Sequence, residues 1–445
     1  MNVTKPRTLI VGLGKTGVSC ARYLAAHGHE VAVTDSRDQP PGLAALRREV
    51  PDAAVFVGGF SEEALARAEQ VVLSPGVPLA DPYVQRALAR GLPVVGDIEL
   101  FARAARAPVV AVTGSNGKST VVTIVGLMAE RAGRRVRVGA NLGTPALDLL
   151  ADGEPDLYVL ELSSFQLETT HSLAPLAAAV LNVSPDHMDR YATFDDYAAA
   201  KARIYRGCRI AVLNRDDACV MAMRPAGATA VTFGLGASPA DGDYGLLEHA
   251  GGEWLARGRE PLMPVTALRV RGRHNVANAL AALALGEAAG LAREAMIDVL
   301  SEFRGLPHRT EWVAEVRGVT WLNDSKATNV GATLAAVAGF ATPLVLIAGG
   351  DGKGQDFAPL AAALPGRVRA VVLLGRDAPR IAAAIGDRVP VKLVTTMEQA
   401  VKQAARLAKA GDTVLLSPAC SSLDMFENFE QRGRQFAEAV RRLAP

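Results

Sequence analysis

Short apolar runs alternate with longer segments of mixed polarity along most of the chain. Runs such as Val109–Val112 and Leu344–Ala348 have the length and continuous apolar character of strands buried on both faces of a parallel sheet. The segments between them repeat apolar residues at the spacing of an amphipathic helix. Because alternating strands and helices build parallel sheets with right-handed crossovers, the pattern predicts an α/β fold.

The spacing of these runs divides the chain into three predicted domains, residues 1–96, 97–304 and 305–445. A length of 445 residues is also that of about three ordinary domains. The helical stretch Asp97–Ala107 would connect the first domain to the second. Residues 242–272 are Gly-rich and alternate in polarity, which predicts hairpins. We expect the third domain to hold a parallel sheet.

The strand Val109–Val112 leads directly into Thr-Gly-Ser-Asn-Gly-Lys-Ser-Thr, and a helical pattern follows. A glycine turn between a strand and a helix N-terminus can hold phosphate through backbone N–H groups and the helix dipole. Lys118 would reach the terminal phosphates, and the Ser119 hydroxyl would bind Mg²⁺. Val112 replaces the first glycine of the usual pattern, so the loop is a shortened form. The residues predicted to bind ATP here are Gly114, Ser115, Asn116, Gly117, Lys118, Ser119 and Thr120. A solvated turn that caps a helix is the alternative.

A second glycine motif, Gly12-Leu-Gly-Lys-Thr-Gly17, follows the first strand, and Asp35 ends the next strand. This is the arrangement of a dinucleotide-binding turn. The same glycines serve any first turn of a doubly wound sheet, and Arg37 suits a phosphorylated or uracil-bearing ligand equally well. Ser74 follows a third strand at the edge of the sheet where ligands bind in such folds.

Further polar residues follow other apolar strands, and each has two interpretations. Glu161 can hold Mg²⁺ or pair with a neighbouring group. His187 lies in a loop and Lys201 on a helix, where both are ordinarily solvated. Asp324 and Lys326 can contact a ribose and a transferring phosphate, or cap a helix.

Two basic residues of the third domain are candidates for binding anions. Lys353, in Gly-Gly-Asp-Gly-Lys, can bind a carboxylate or lie solvated in a turn. Arg309 lies between the second and third domains and can hold a phosphate when they close.

Composition excludes some classes of protein. Lys and Arg total 48 against 46 for Asp and Glu, and no basic stripe indicates a nucleic-acid partner. The four cysteines lack metal-ligand spacing and suit a reducing cytoplasm. We expect no membrane span, since no apolar run reaches about 18 residues.

Together these segments resemble the Mur ligases, the ATP-dependent amide ligases of peptidoglycan precursor synthesis. The resemblance rests on GLGKTG, TGSNGKST, NLGTPAL, LELSSFQLE, NVSPDHMDRY, AAKARIY, RHNVANALAA, GLPHR, NDSKATNVGAT, GGDGKGQDF and LLSPACSSLDMFENFEQRG. It implies a Rossmann-like N-terminal domain that binds a UDP-linked substrate, a central P-loop ATPase-type α/β domain, and a Rossmann-like C-terminal domain that binds an amino acid.

The resemblance also assigns roles by position. Lys118, Glu161, His187 and Lys201 would be catalytic, with Ser119 and Glu161 at one Mg²⁺ and His187 and a carbamylated Lys201 at a second. Further ATP contacts would come from Asn275, Arg309 and Asp324. The UDP-linked substrate would contact Thr16, Asp35, Ser36, Arg37, Ser74 and Asn141. D-Glutamate would contact Lys326, Thr328, Lys353, Ser422 and Phe429.

The reaction implied is the joining of D-glutamate to UDP-N-acetylmuramoyl-L-alanine through an acyl phosphate, by a cytoplasmic monomer. LLSPACSSLDMF and the absence of a DNPR-type segment, which would suit a diamino acid, favour D-glutamate. The nearest alternative is another ligase of the same family that adds a different amino acid. A nicotinamide-dependent oxidoreductase and a non-catalytic or motor P-loop protein are the rival classes, but the first leaves the P-loop unexplained.

Overall fold

The computed structural model describes residues 6–151, 153–270, 272–340 and 342–443, and within them strands form three sheets flanked by helices. The α/β prediction is therefore confirmed. No helix in these ranges is both long and apolar enough to cross a lipid bilayer.

The first sheet is parallel throughout, with strand order β3-β2-β1-β4-β5. Its elements are β1 (Arg7–Val11), α1 (Lys15–Ala26), β2 (Glu30–Thr34), α2 (Leu43–Glu49), β3 (Ala54–Phe56), α3 (Glu62–Arg67), β4 (Gln70–Leu73), α4 (Pro82–Ala89) and β5 (Val94–Val95). The helix α5 (Asp97–Ala104) follows and ends earlier than predicted. Pro108 disfavours helical backbone at the residue before it, so the chain is extended where it enters the second sheet.

The second sheet has strand order β14-β13-β12-β11-β10-β9-β6-β8-β7. Its elements are β6 (Val109–Thr113), α6 (Lys118–Arg131), β7 (Val136–Ala140), β8 (Leu157–Glu161), α7 (Ser164–Glu168), β9 (Ala177–Val180), α8 (Phe194–Ala202), β10 (Ile210–Asn214), α9 (Ala218–Ala222), β11 (Thr229–Phe233), β12 (Tyr244–His249), β13 (Gly252–Arg257), β14 (Glu260–Pro264), α10 (Arg273–Ala288) and α11 (Arg293–Glu302). Strands β12, β13 and β14 are antiparallel neighbours, which confirms the predicted hairpins.

The third sheet has strand order β15-β16-β20-β17-β18-β19. Its elements are β15 (Glu311–Val316), β16 (Val319–Asn323), α12 (Val330–Ala338), β17 (Leu344–Ala348), α13 (Ala358–Ala363), β18 (Val368–Leu373), α14 (Ala378–Ile385), β19 (Val391–Leu393), α15 (Met397–Leu407), β20 (Thr413–Leu416) and α16 (Phe429–Arg441).

The predicted strands of the third sheet are parallel to one another, and the sheet has one further edge strand that the sequence analysis did not predict, β15, which runs antiparallel to β16. Arg317 and Gly318 join these strands with φ of 53° and 73°. Two consecutive positive φ angles define the tight turn whose twist matches a hairpin. An Arg-Gly pair is a weaker hairpin signal than Asn-Gly, which explains why the sequence pattern did not reveal it.

The central strand β6 positions the site. It lies between β8 and β9, with Val112 opposite Glu161 and Thr113 opposite Val180. Carboxyl ends of parallel strands meet at one edge of a sheet, so the residues that follow these three strands lie together. Helices α6 and α10 pack against one face of the sheet at β6, and their apolar side chains form a continuous core with it.

Truncation of Leu283 on α10 tests this core. Leu283 is fully buried in the core that joins α10 to α6. We expect Leu283→Ala to lower the free energy of unfolding by about 2–5 kcal/mol, because the cavity only partly collapses. Urea unfolding would measure it, with the more exposed Leu127→Ala on α6 as a control that costs about 1 kcal/mol or less. Equal losses in the two variants would contradict this packing.

Candidate active site

The loop after β6 has the backbone of a phosphate cradle. Gly114 and Gly117 adopt φ of 150° and 85°, and α6 starts immediately afterwards at Lys118. A Cβ atom at Gly117 would lie 2.5 Å from the Asn278 side-chain oxygen, so glycine is required there. The helix start points its free N–H groups toward this loop, which is where an anion would bind.

The loop after β9 holds this cradle in place. The backbone N–H groups of Ser115 and Asn116 donate to the backbone and side-chain oxygens of Asn182, at 2.9 and 2.8 Å. The Ser115 hydroxyl donates to the Ser184 carbonyl oxygen at 2.9 Å. Ser115 and Thr120 are buried. Of the predicted ATP-binding residues, 114–117 therefore form a loop that hydrogen bonds hold in place, and 118–120 form the first turn of α6.

Two lysine side chains converge on a single carbonyl oxygen of the loop. Lys118 Nζ donates to the Gly114 oxygen at 2.7 Å and Lys201 Nζ donates to the same oxygen at 2.9 Å. Lys201 also lies 4.5 Å from the centre of the Tyr197 ring. Burial lowers the pKa of both lysines, and the neighbouring Lys118 charge lowers the pKa of Lys201 further. Lys201 is thus a buried amine, not the solvated lysine typical of a helix surface.

Glu161 is the last residue of β8, the strand next to β6. One carboxylate oxygen, Oε1, accepts from Asn141 Nδ2 at 2.6 Å, while Oε2 is buried and has no hydrogen-bond partner in the part of the chain that the structure describes. The Ser119 hydroxyl accepts from Arg309 Nη2 at 2.8 Å.

These oxygens suit Mg²⁺, which commonly takes one or two carboxylates together with phosphate oxygens. An unpartnered buried carboxylate oxygen is costly unless a cation or donor satisfies it. No group of three or more His, Cys, Asp or Glu side chains suited to a metal occurs among residues 6–151, 153–270, 272–340 and 342–443. Ligand oxygens from a nucleotide would therefore complete such a site.

A cavity of about 350 Å³ lies beside the cradle. Asn275, Arg309 and Asp324, the further predicted ATP contacts, all line it, together with Lys326. Burial raises the pKa of Asp324 to about 7, although the Ser417 hydroxyl donates to Oδ2 at 2.8 Å. Burial lowers the pKa of Arg309, and the negative charges of Glu161 and Asp324 partly offset this decrease.

A larger cavity, of about 780 Å³, opens at the carboxyl edge of the first sheet. All six residues predicted to bind the UDP-linked substrate line it, namely Thr16, Asp35, Ser36, Arg37, Ser74 and Asn141. Asn141 comes from the loop after β7 in the second sheet and Glu430 from α16 of the third domain, so all three domains contribute residues to this cavity. The Asn141–Glu161 hydrogen bond joins it to the cradle.

The Asp35 carboxylate is already engaged by the protein. Arg37 donates to both of its oxygens at 2.8 and 2.7 Å, and the Leu13 backbone N–H donates to Oδ2 at 2.7 Å. The Arg37 guanidinium holds the pKa of Asp35 down to about 2. In dinucleotide-binding turns this carboxylate binds a ribose. Here the Asp35 carboxylate binds Arg37 and the Leu13 N–H instead, which argues against a nicotinamide-dependent oxidoreductase.

His187 lies in the loop after β9 with a positive φ of 58°. Its ring packs edge-on against Phe165, with 4.8 Å between ring centres, and Nε2 is 3.7 Å from Asp186 Oδ2. Burial lowers the pKa of His187 to about 4, so the imidazole is neutral at pH 7 and can bind a metal.

The five residues predicted to bind D-glutamate are divided among several loops and the start of α16, where Phe429 is the first residue. The Lys326 amine lies 3.9 Å from the Phe429 ring centre, and burial with the nearby Arg309 and Lys118 charges lowers its pKa to about 8. Lys353 instead forms an ion pair with Asp186 at 2.9 Å. Thr328 and Ser422 follow β16 and β20, which are paired in the third sheet.

Asp186 and Asn329 are site residues that the sequence analysis did not single out. Asn329 Nδ2 donates to Asp186 Oδ2 at 3.0 Å, and the Asn329 and Asn116 side-chain amides exchange longer contacts. Asp186 therefore binds two side chains of the third domain, Asn329 and Lys353. Its sequence signal was its place beside His187 in the polar loop that follows a buried strand.

Models of known families match most of the chain. A model for the N-terminal domain of MurD-like Mur ligases matches residues 6–96, the Mur ligase middle domain matches 112–286, and the Mur ligase glutamate ligase domain matches 308–420. The chain belongs to the Mur ligase family. Domain boundaries finer than these matches stay predictions.

Curated Mur ligases of known name are similar over nearly the full length. The UDP-N-acetylmuramoylalanine--D-glutamate ligase of Nitrosococcus oceani is 57% identical over 438 residues, which cover 98% of this chain and 96% of the relative. The protein of the same name from Pseudomonas putida is 56% identical over 441 residues, which cover 98% and 97%.

Solved Mur ligase structures share the three-domain fold. The MurF ligase of Thermotoga maritima in complex with ADP has a TM-score of 0.62 at 16% identity, covering 100% of this chain and 97% of that one. The UDP-N-acetylmuramate-alanine ligase of the same organism has a TM-score of 0.61 at 19% identity, covering 98% and 99%. At these identities the likeness concerns the fold alone.

The raised pKa of Asp324 predicts a pH-dependent stability of this Mur ligase. The folded state keeps a proton that the unfolded carboxyl, with a pKa of 3.8, has lost. Stability therefore falls as the pH rises from about 5 to about 7, by at most about 1.4 kcal/mol per pH unit. In Asp324→Asn the free energy of unfolding, measured with urea at several pH values, should not show this fall. Asp298 is exposed, so Asp298→Asn should show the same pH dependence as the wild type. The prediction would be contradicted if the free energy of unfolding of Asp324→Asn changed with pH in parallel with that of the wild type.

Proposed function

We propose that this Mur ligase joins D-glutamate to UDP-N-acetylmuramoyl-L-alanine with cleavage of ATP to ADP and phosphate. Support comes from relatives of that name, which are 52% to 57% identical over nearly the whole chain. The hydrogen bond between Asn141 and Glu161 carries the structural argument. Asn141 lines the larger cavity and Glu161 lies at the cradle, so a carboxylate at the end of a ligand in that cavity would approach the ATP phosphates.

The chemistry explains why a carboxylate and a triphosphate must meet. A carboxylate oxygen attacks the γ-phosphorus, and the bond from that phosphorus to the ADP oxygen breaks. The resulting acyl phosphate has a good leaving group. The amine of D-glutamate then attacks the acyl carbon, a C–N bond forms, the amine loses a proton, and inorganic phosphate leaves.

The cations of the site would stabilise the charge that this reaction brings together. Lys118 and Arg309 point at the cradle and would bind phosphoryl oxygens. Lys326 lies next to them and would face the transferring group. Ser119 and Glu161 would hold one Mg²⁺ and His187 with Lys201 a second, and bound Mg²⁺ supplies further charge neutralisation at the phosphates.

We infer that Lys201 becomes carbamylated. Lys118 and Lys201 share the Gly114 oxygen, and an ammonium at both positions would be repulsive in a buried site. Attack of the Lys201 amine on CO₂ forms an N–C bond and releases one N–H proton to solvent. The product carries a negative charge and oxygen atoms, which suit both Lys118 and a metal.

The amino acid would bind between the second and third domains, in contact with Lys326, Thr328, Lys353, Ser422 and Phe429. Its two carboxylates require cations, and Lys353 is available by exchange with Asp186. The partners in this proposal are small molecules, and we place the reaction in the cytoplasm on a monomer.

The reaction is tested by phosphate release from ATP and Mg²⁺ with UDP-N-acetylmuramoyl-L-alanine and a panel of amino acids. We expect release with D-glutamate but not with L-glutamate, L-alanine or a diamino acid. Glu161→Gln is the matched control and should release phosphate at least about a hundredfold more slowly. Release with another amino acid would change the substrate assigned, and ATP hydrolysis without an acceptor would contradict a ligase.

Carbamylation is tested with ¹³C-bicarbonate. The wild type should show a ¹³C carbamate resonance that Lys201→Arg lacks, because a guanidinium does not form the adduct. Lys201→Arg keeps the positive charge and should lose about a hundredfold or more in activity. A resonance that persists in Lys201→Arg, or full activity of that variant, would refute the assignment.

A further inference from the structure

Arg190 lies outside every role assigned above, yet it contacts two parts of the site. Its side chain is only 10% exposed. Nη1 donates to the Pro75 carbonyl oxygen at 2.6 Å, and Nη2 donates to the Val77 oxygen and to Glu168 Oε2, both at 3.2 Å. A guanidinium can donate in several fixed directions at once, whereas a lysine amine is a single point charge.

The first contact is with the cavity of the UDP-linked substrate. Pro75, Gly76 and Val77 follow β4 and line that cavity. The same segment is fastened to the first glycine turn, since the Ser74 hydroxyl donates to the Gly12 oxygen at 2.7 Å. Arg190 comes from the second domain, so it links that domain to a substrate loop of the first.

The second contact leads to His187. The Arg190 guanidinium carbon lies 3.8 Å from the Phe165 ring centre, and the same ring contacts His187, with 4.8 Å between ring centres, and stacks on Tyr191 at 6.0 Å. The backbone provides another connection, because the N–H groups of Arg190 and Tyr191 both donate to the His187 oxygen, at 2.9 and 3.2 Å. Arg190 is therefore connected to His187 both through the Phe165 ring and through the backbone.

We propose that Arg190 is a positioning residue that couples the loop of residues 74–77 to the His187 side chain. Binding of the UDP-linked substrate orders the loop, the loop fixes Arg190, and Arg190 orients His187 through Phe165. The inference rests on the proposed function, because it takes UDP-N-acetylmuramoyl-L-alanine as the ligand of the larger cavity. It predicts that acceptor binding prepares the second metal position before ATP reacts.

The experiment follows the His187 imidazole resonance by NMR in the full-length, histidine-labelled protein, assigned with His187→Gln. Addition of UDP-N-acetylmuramoyl-L-alanine alone should shift the wild-type resonance. Arg190→Lys should bind the same ligand in calorimetry but lose most of the shift, and its kcat should fall about tenfold with the KM for ATP unchanged. Phe165→Leu, which removes the ring between the two side chains, should behave likewise.

Arg203→Lys is the matched control. Arg203 also donates to backbone oxygens in this region, those of Leu167 and Glu168, and among the described residues it forms no hydrogen bond with residues 74–77. It should keep the wild-type response. Loss of the shift in Arg203→Lys, or a full shift in Arg190→Lys or Phe165→Leu, would overturn the coupling. Binding by the wild type without any shift overturns the coupling alone, whereas no binding overturns the proposed function and the coupling with it.

Discussion

Several basic side chains around the phosphate cradle are buried away from water, and the arrangement of the rest of the site depends on this constraint. Burial lowers the pKa of Lys118, Lys201, Lys326 and Arg309, and each has a carboxylate near enough to oppose that effect. Desolvated charges interact more strongly than those in water, both with each other and with a ligand. A polyanion in this region stabilises the charged form of every one of these side chains, so ligand binding and protonation are linked.

The sheets provide the geometry that such a charge cluster needs. The cradle, Glu161 and the His187 loop follow three adjacent parallel strands, β6, β8 and β9. Arg309, Asp324 and Lys326 arrive from the third domain, and Asn141 extends to the cavity of the first. Long side chains lose conformational freedom when they are ordered. Because the charged groups come from different strands and domains, the backbone already sets their positions and less ordering of side chains is needed.

Local features of the site were predictable from sequence, and contacts between distant segments were not. Lys118 and Ser119 lie in a strand-turn-helix whose geometry is encoded by neighbouring residues, and Glu161 marks the end of a buried strand. The pairing of Asp186 with Lys353, 167 positions away, depends on how two domains meet. The same holds for Arg190 and Pro75, 115 positions apart. Lys201 shows the limit clearly, since helical spacing alone indicates a solvated lysine.

The ion pair between Lys353 and Asp186 bears on how the second and third domains separate. If an incoming carboxylate takes the place of Asp186 at Lys353, Lys353 keeps an anionic partner while the Asp186 carboxylate is freed from that ion pair. A neutral side chain offers no such exchange and would leave the Asp186 carboxylate paired as before. Binding of an acidic amino acid at Lys353 would then also break the contact between the second and third domains. The same residue would select the substrate and control the separation of the domains.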